Sequence, residues 1–217
     1  MEKIITAYPS VPFGELVYCY ENEILYQKDT SISVPYEKDY FEKYVSYEDT
    51  EISIKLNEFR TAITKKYCKS LLDIGIGSGE FIKKSSIKVF GYDINPIAIE
   101  WLNQRGLLLD PYTGKKLSMR IEGVSLWDAL EHIPDPSDLL SRFSPGQYVF
   151  ISIPIFSDLL KVRESKHYRP NEHYYYYTEA GLRKFMAEHR FKFIEMSDAE
   201  IQAGREGIYS FVFRRNP

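Results

Sequence analysis

A run of glycines follows a short apolar segment and has the features of a site for a nucleoside-like ligand. Leu71–Glu80 has the sequence LLDIGIGSGE, in which a predicted strand, Leu71–Ile74, ends at a turn containing Gly75, Gly77 and Gly79. Glycine adopts backbone conformations that other residues avoid, and it lets a ligand approach the main chain closely. In a doubly wound sheet, ligands bind beyond the carboxyl ends of the strands. The segment therefore predicts a ligand site at that edge of a sheet.

Two acidic residues accompany the glycine turn. Asp73 lies just before the first glycine, and Asp93 ends the next predicted strand, Lys88–Tyr92. A carboxylate at the end of that strand can accept hydrogen bonds from both hydroxyls of a ribose. The dinucleotide pattern GxGxxG, started at Gly75, would require glycine at position 80, where the chain has Glu80. Asp73 would repel a pyrophosphate but attract the sulfonium and amino groups of S-adenosylmethionine, so the segment favours that cofactor over NAD.

A second cluster of reactive side chains lies in the segment Trp127–His132, which has the sequence WDALEH. Asp128, Glu131 and His132 are spaced i, i+3 and i+4, which predicts that one helical face presents all three. His132, Glu131 and His173 are candidates for a general base that removes a proton from an acceptor hydroxyl. Two carboxylates and an imidazole also suit magnesium, manganese or zinc. We favour the alternative that Glu131 and His132 shape a turn through hydrogen bonds while Asp128 faces the cofactor.

The elements that position these residues alternate between strands and helices from Ser70 onward. Short apolar runs predict buried strands, and apolar residues at helical spacing predict helices. The predicted strands are Leu71–Ile74, Lys88–Tyr92, Val124–Trp127, Tyr148–Ile153, Phe191–Glu195 and Ile208–Phe213. The predicted helices are Tyr36–Tyr47, Ile52–Lys66, Ile97–Gln104, Pro136–Phe143 and one that Thr178 caps. This alternation predicts an α/β fold with a doubly wound, mostly parallel sheet and an antiparallel edge.

The composition is that of an ordinary globular domain. The chain has 217 residues, of which 44% are hydrophobic and 27% charged, and this suits one domain with a real core. A formal net charge of -3 gives no strong signal for a nucleic-acid partner. Cys19 and Cys68 lie far apart and form no metal-binding or disulfide pattern. No stretch reaches membrane-spanning length and the N-terminus lacks an apolar signal segment, so we expect a soluble cytoplasmic protein.

Four segments together resemble a known family. They are the glycine segment, Asp93, the segment Leu126–Pro136 (LWDALEHIPDP) and the segment Leu56–Arg60 (LNEFR). With these motifs the chain resembles class I S-adenosylmethionine-dependent methyltransferases, and it is similar to the ubiquinone-biosynthesis O-methyltransferase branch. The resemblance runs from about Lys55 to the C-terminus. It implies a Rossmann-like sheet of seven strands with the last one antiparallel.

The resemblance also implies roles for individual residues. Arg60 would pair with the methionine carboxylate of the cofactor, Asp93 would bind the ribose, and Trp127 would contact the cofactor. An acid after the third strand contacts the adenine amine in many relatives, and Asp110 is the candidate here. Some relatives bind a divalent metal through a carboxylate-x-x-Glu-His set, sometimes with a later histidine. Asp128, Glu131 and His132 are therefore the weaker, alternative metal candidates, with His173 as the candidate for the later histidine. The complete predicted cofactor-binding set is Arg60, Asp73, Gly75, Gly77, Asp93, Ile94, Trp127 and Asp128.

The first fifty residues depart from the family pattern. Leu16–Tyr20 and Glu23–Tyr26 predict two short strands around Glu21-Asn22, a hairpin. We therefore predict an N-terminal extension over residues 1–50 that caps the acceptor site, and a methyltransferase domain over residues 51–217. The predicted activity is O-methylation of a small molecule or glycan. An NAD(P)-dependent oxidoreductase and a non-catalytic S-adenosylmethionine-binding module are the alternatives. Neither the oligomeric state nor the acceptor follows from these patterns.

Three polar or aromatic segments near the C-terminus stay outside these motifs. His167-Tyr168-Arg169 and Tyr174–Tyr177 lie between the fifth predicted strand and the last helix. They fit either the border of an acceptor pocket or a packed aromatic connection, and the pattern does not choose between them. Arg205-Glu206, before the final strand, is most simply a solvated pair in a turn.

Overall fold

The computed structural model describes residues 10–28 and 38–217. Residues 1–9 and 29–37 of the predicted extension, including the predicted helix start at Tyr36, lie outside the described residues. In chain order the strands are β1 (Ser10–Phe13), β2 (Leu16–Cys19), β3 (Ile24–Gln27), β4 (Ser70–Ile74), β5 (Lys88–Tyr92), β6 (Gly123–Trp127), β7 (Tyr148–Pro154), β8 (Tyr175–Tyr177), β9 (Phe191–Ser197) and β10 (Ile208–Arg215). The helices are α1 (Lys38–Val45), α2 (Glu51–Lys65), α3 (Glu80–Lys84), α4 (Pro96–Gln104), α5 (Pro136–Ser141), α6 (Glu179–Glu188) and α7 (Ala199–Gln202), with 3₁₀ turns at Leu130–His132 and Leu159–Glu164.

The larger sheet has the strand order β5-β4-β6-β7-β10-β9. β5, β4, β6 and β7 are mutually parallel, whereas β10 is antiparallel to both β7 and β9. All five residues of β6 are buried, as expected for a central parallel strand covered by other elements on both faces. The predicted doubly wound, mostly parallel Rossmann-like sheet with an antiparallel end is therefore confirmed.

A seventh strand position is reduced to a single bridge beside β5. Gly91 N donates to Leu107 O and Leu109 N donates to Gly91 O, both at 3.0 Å. Pairing ends there because Pro111 follows and the Asp110 carboxylate accepts the Tyr112 backbone N–H at 2.7 Å, which bends the chain into a turn. The described sheet thus contains six full strands and one bridge at its edge.

Local capping explains where the helices beside the sheet begin. Thr50 caps α2 by accepting the Ser53 N–H at 3.2 Å. Asn95 caps α4 by accepting the Ile97 N–H at 2.9 Å, with Pro96 at the first helical position. These side chains satisfy backbone donors that the first helical turn leaves unpaired. Both helices consequently start at fixed points next to the ends of the strands.

A smaller antiparallel sheet joins the hairpin to the aromatic segment, in the order β1-β2-β3-β8. Tyr174–Tyr177 are each at most 5% exposed and pack as a connection, which is one of the two interpretations left open by the sequence. Tyr174 N donates to Glu131 O at 2.7 Å, and the Tyr175 hydroxyl donates to Pro134 O at 3.0 Å. The small sheet therefore rests against the turn that follows β6. Among the described residues, no helix combines the length and apolar character needed to cross a membrane.

Candidate cofactor and active site

A cavity of about 650 Å³ opens at the carboxyl ends of β4, β5 and β6. Its wall is more apolar than polar, which is usual for a small-molecule site with a few polar anchors. Every residue of the predicted cofactor set contributes to it: Arg60, Asp73, Gly75, Gly77, Asp93, Ile94, Trp127 and Asp128. The structure thus brings the whole set together around one space. Asp110 is not among the lining residues, but Tyr112, just after it, is.

The glycine turn has the backbone that its sequence requires. Gly75, Gly77 and Gly79 have φ values of +80°, +56° and +76°, in the left-handed region that disfavours other residues. Gly75 N donates to Tyr92 O at 2.8 Å, which fixes the start of the turn against β5. A Cβ atom on Gly77 would lie 3.3 Å from the ring of Tyr44. The turn therefore forms the floor of the cavity, with α1 packed closely against it.

Two carboxyl groups flank the turn, one of them buried and the other partly buried. Asp73 is 2% exposed and accepts a hydrogen bond from Ser125 Oγ at 2.5 Å. Burial raises the pKa of Asp73 to about 7. Burial also raises the pKa of Asp93, although the backbone N–H groups of Asn95 and Gly77 partly offset this. A cationic ligand group in the cavity would favour the ionised form of either acid.

Arg60, Asp128, Glu200 and Arg205 form a four-residue charged network at the cavity wall. Arg205 binds Asp128 with both terminal nitrogens, Nη1 to Oδ2 and Nη2 to Oδ1, each at 2.8 Å. Burial alone would raise the pKa of Asp128, but the Arg205 guanidinium lowers it to about 2. The interpretation of Arg205 as a solvated turn residue is wrong, because its side chain turns inward to these carboxylates. Glu206 beside it is exposed and pairs with Lys166 at 2.9 Å.

Arg60 reaches the same network from α2. Its Nε and Nη2 donate to Glu200 Oε1 at 3.1 and 2.9 Å, and Nη2 lies 3.4 Å from Asp128 Oδ2. Its guanidinium carbon stands 5.0 Å from the ring centroid of Trp127. Nη1 makes no hydrogen bond to any residue that the structure describes, and the buried indole Nε1 of Trp127 likewise has no partner among them. Since Arg60 lines the cavity, its Nη1 remains available to a ligand there.

The predicted common helical face for Asp128, Glu131 and His132 is wrong. Asp128 has a left-handed backbone with φ of +53°, and only Leu130–His132 are helical, as a 3₁₀ turn. The chain therefore changes direction between Asp128 and the two later residues. Asp128 is directed to Arg205, whereas Glu131 is buried next to the small sheet.

Glu131, His132 and His173 converge behind this turn. The rings of His132 and His173 are perpendicular, with centroids 4.6 Å apart. His132 lines the cavity, whereas Glu131 and His173, 1% and 4% exposed, do not. Burial lowers the pKa of His132, lowers that of His173 to about 3, and raises that of Glu131 well above its usual range. Of the three predicted catalytic residues, His132 alone reaches the cavity with a basic nitrogen.

Three of the four candidate metal ligands converge in the structure, and Asp128 is not one of them. Arg205 occupies both oxygens of Asp128, so that carboxylate does not fit as a ligand. Glu131, His132 and His173 each offer a ligand atom, and these atoms all lie within 4.8 Å of one another. Glu131 Oε2 is buried without a hydrogen-bond partner among the described residues. One carboxylate and two neutral imidazoles suit zinc or a similar borderline cation.

Sequence reasoning missed several residues in or next to the site, among them Glu200, Arg205, Tyr44 and Tyr47. Glu200 and Arg205 belong to no motif, and they lie 140 and 77 residues from their partners Arg60 and Asp128. Tyr44 and Tyr47, at the end of α1 and just beyond it, line the cavity from the side facing the glycine turn. The only available signal was the abundance of tyrosine, which does not identify positions.

Comparisons with known proteins identify the family of this chain. Residues 44–195 match the family described as a methyltransferase domain. A methyltransferase of Thermotoga maritima superimposes with a TM-score of 0.58 at 14% identity, covering 82% of this chain and 97% of that one. The magnesium protoporphyrin IX methyltransferase of Synechocystis, solved with S-adenosylhomocysteine, gives 0.54 at 16% identity over 83% and 96%. No curated protein matches the chain.

A third structural neighbour is the methyltransferase partner in a complex with the Trm112 activator of Haloferax volcanii. Its TM-score is 0.57 at 13% identity, over 83% of this chain and 97% of that one. At these identities the structural likeness shows the fold alone, and the family match shows the membership. The chain belongs to the methyltransferase-domain family and is an S-adenosylmethionine-dependent methyltransferase.

Proposed function

We propose that this enzyme transfers the methyl group to an oxygen atom of a small molecule or glycan, as a relative of the ubiquinone-biosynthesis O-methyltransferases. The observation that carries the proposal is His132, a neutral imidazole in the wall of the cavity that holds all the predicted cofactor residues. Oxygen acceptors need a base because a hydroxyl is a poor nucleophile until its proton leaves. A neutral imidazole meets that need near neutral pH.

Residues of opposite charge in the predicted cofactor set are assigned to different groups of the ligand. Nη1 of Arg60 would bind the methionine carboxylate, and Asp73 would attract the amino group. Asp93 would accept hydrogen bonds from the ribose hydroxyls, and the main chain of Gly75 and Gly77 would contact the ligand. The cofactor supplies a methyl group on a good leaving group, so the protein's task is to align the acceptor and exclude water.

The acceptor is assigned to the aromatic and apolar part of the cavity lining. Tyr44, Tyr47, Ile52, Tyr112 and Ile133 contribute this surface. Of the predicted N-terminal extension, Tyr44, Tyr47 and Thr50 are the described residues that line the cavity, so the cap consists of α1 and the loop after it. The hairpin supports this region indirectly, through β8 and the turn after β6.

His132 acts as the general base in this proposal. A hydrogen bond to the backbone of Glu172 orients its ring, and the perpendicular ring of His173 packs against it. Glu131 is buried behind the turn and supports its shape, since its backbone carbonyl accepts from Tyr174 N at 2.7 Å. Proton removal therefore falls to His132, with Glu131 and His173 as supporting residues.

Binding and turnover test the proposal separately. In a thermal-shift series, S-adenosylmethionine and S-adenosylhomocysteine should stabilise the protein and NADH should not. Stabilisation by NADH alone would restore the oxidoreductase alternative. A screen with cofactor labelled in the methyl group should then transfer label to a hydroxyl compound. Binding without transfer to any phenol, carboxylate or sugar tested would support the non-catalytic module instead.

A second candidate role for the same cluster is binding of a divalent cation. The buried, unpartnered Glu131 Oε2 and the convergence of Glu131, His132 and His173 favour it. Such a metal would lower the pKa of an acceptor hydroxyl bound to it. His173→Gln separates the two roles, because His173 does not line the cavity. If metal analysis finds one equivalent of zinc in the wild type and none in H173Q, the metal role holds. Metal-free wild type that keeps its activity in EDTA leaves His132 as the base.

A further inference from the structure

Glu200 is a fully buried acid in a position that the proposed mechanism does not use. It lies on the single-turn helix α7 and is 0% exposed. An isolated carboxylate cannot be buried in this way without strong compensation. Both of its oxygens accept hydrogen bonds. Oε1 accepts from Nε and Nη2 of Arg60 at 3.1 and 2.9 Å, and Oε2 accepts from Nη1 of Arg205.

The carboxylate thereby bridges two arginines from distant parts of the chain. Arg60 comes from α2, and Arg205 precedes β10. Each of them also contacts Asp128 at the end of β6, so two positive and two negative groups form a closed network. In such a network each side chain is restrained from two directions. The network as a whole is neutral, and it gives Arg60 little freedom to choose another orientation.

The contacts of Arg60 hold its guanidinium group along one edge and one face. Glu200 takes the Nε and Nη2 edge of the guanidinium, and Asp128 approaches Nη2 as well. The planar guanidinium also stands over the ring of Trp127, 5.0 Å from its centroid. Only Nη1 is left without a partner among the described residues. A guanidinium fixed along one edge and one face presents its remaining donor in a defined place.

We propose that Glu200 is a positioning residue for cofactor binding, which holds Arg60 so that Nη1 meets the carboxylate of the methionine moiety. This inference rests on the proposed cofactor role of Arg60. It assigns Glu200 an effect on one end of the ligand only, because the glycine turn and Asp93 hold the nucleoside end. A purely structural role would affect both ends alike.

The test compares two ligands that differ at the methionine end. S-adenosylhomocysteine carries the amino acid carboxylate, and 5′-methylthioadenosine lacks it. Calorimetry of Glu200→Gln should give S-adenosylhomocysteine binding weaker by about tenfold or more, as expected when a charge-assisted contact is lost. Binding of 5′-methylthioadenosine should stay within about twofold of the wild type. Equal losses for both ligands, or no loss for either, would overturn the proposal.

Four further variants complete the design. Glu195→Gln removes a carboxylate from a surface pair with Lys66 and should leave both ligands unaffected. Arg60→Gln should reproduce the selective loss, and the double variant R60Q/E200Q should be no weaker than R60Q, because Glu200 acts through Arg60. If E200Q does not fold, Glu200→Asp, which keeps the charge but shortens the side chain, must show the same selectivity. Failure of the wild type to bind S-adenosylhomocysteine would instead refute the proposed cofactor site.

Discussion

Arg205 holds both carboxylate oxygens of Asp128 in a two-point ion pair, with N–O distances of 2.8 Å each. The pair ties the segment before β10 to the residue that follows β6. Paired contacts of this geometry are stronger and more directional than single ones. The pair also decides the chemistry of Asp128, which is committed to an arginine rather than to a metal.

Loss of Arg205 should destabilise the fold. Arg205→Gln leaves Asp128 and the buried Glu200 with less compensation, so the free energy of unfolding should fall by about 1.5–3 kcal/mol in urea titrations at pH 7. Because the folded pKa of Asp128 is depressed to about 2, its share of this stability is present above pH 4 and is lost between about pH 4 and 2. The difference in the free energy of unfolding between wild type and R205Q should therefore become smaller as the pH falls below about 4.

The matched control for Arg205 is a surface ion pair. Lys166 and Glu206 are 58% and 83% exposed, so Lys166→Gln should change the free energy of unfolding by no more than about 0.5 kcal/mol. An R205Q protein as stable as K166Q would contradict the importance given to the charged network.

Alanine substitutions at Gly75 and Gly106 distinguish the effect of backbone strain from the effect of a lost ligand contact. Both have positive φ, +80° and +62°, so alanine at either position should cost about 1–2 kcal/mol of stability. Gly75 lines the cavity, and a Cβ there would lie 3.1 Å from Ala129 Cβ, whereas one on Gly106 would meet nothing within 4 Å. G75A alone should lose S-adenosylhomocysteine binding, by about tenfold or more in calorimetry. Equal binding by the two variants would refute the contact at Gly75.

Binding of S-adenosylmethionine should strengthen as pH rises through about 7. In the free protein the raised pKa of Asp73 means that its carboxyl is half neutral near that pH. The cationic ligand favours the ionised form of Asp73, so binding below pH 7 must also release the proton of this carboxyl group. Affinity should fall by up to about tenfold for each pH unit below 7 and level off above it.

The control for this pH dependence is Asp73→Asn, which cannot ionise. Its affinity should be weak and nearly independent of pH between 5 and 8, when measured by calorimetry in two buffers of different ionisation enthalpy. A wild-type profile as flat as that of D73N would show that Asp73 does not contact the charged part of the ligand.

His132→Gln should impair turnover without impairing cofactor binding. Loss of a general base typically costs about 10²–10⁴-fold in rate, and we expect kcat to fall by that order while the Kd for S-adenosylmethionine stays within about twofold. His167→Gln, a partly exposed histidine next to the Glu206 carbonyl, is the matched control and should retain kcat. A normal kcat in H132Q with the natural acceptor would show that His132 is not the general base.

Much of the fold was predictable because its signals are local. Strand and helix periodicity, the caps at Thr50, Asn95 and Thr178, and the glycines at Gly75 and Gly77 each act within a few residues. They place the cofactor half of the cavity at the ends of neighbouring strands. The single bridge at Leu107–Leu109 was less predictable, because the composition of this segment does not indicate how many of its residues pair with β5.

The rest of the site depends on contacts between distant segments. Periodicity carries no information about Arg205 reaching Asp128, or about His173 packing beside His132. Asp128 was assigned to a helical face that does not form, because its left-handed backbone is set by its surroundings.

The sequence by itself determined the family, the cofactor and the sheet, because motif residues and local patterns specify them. Only the tertiary structure decided that Glu200 and Arg205 pair with Arg60 and Asp128 beside the cavity. The physical reason is that a buried charge can be tolerated only with its partners in place. Those partners, Arg60 for Glu200 among them, come from wherever packing brings the chain together.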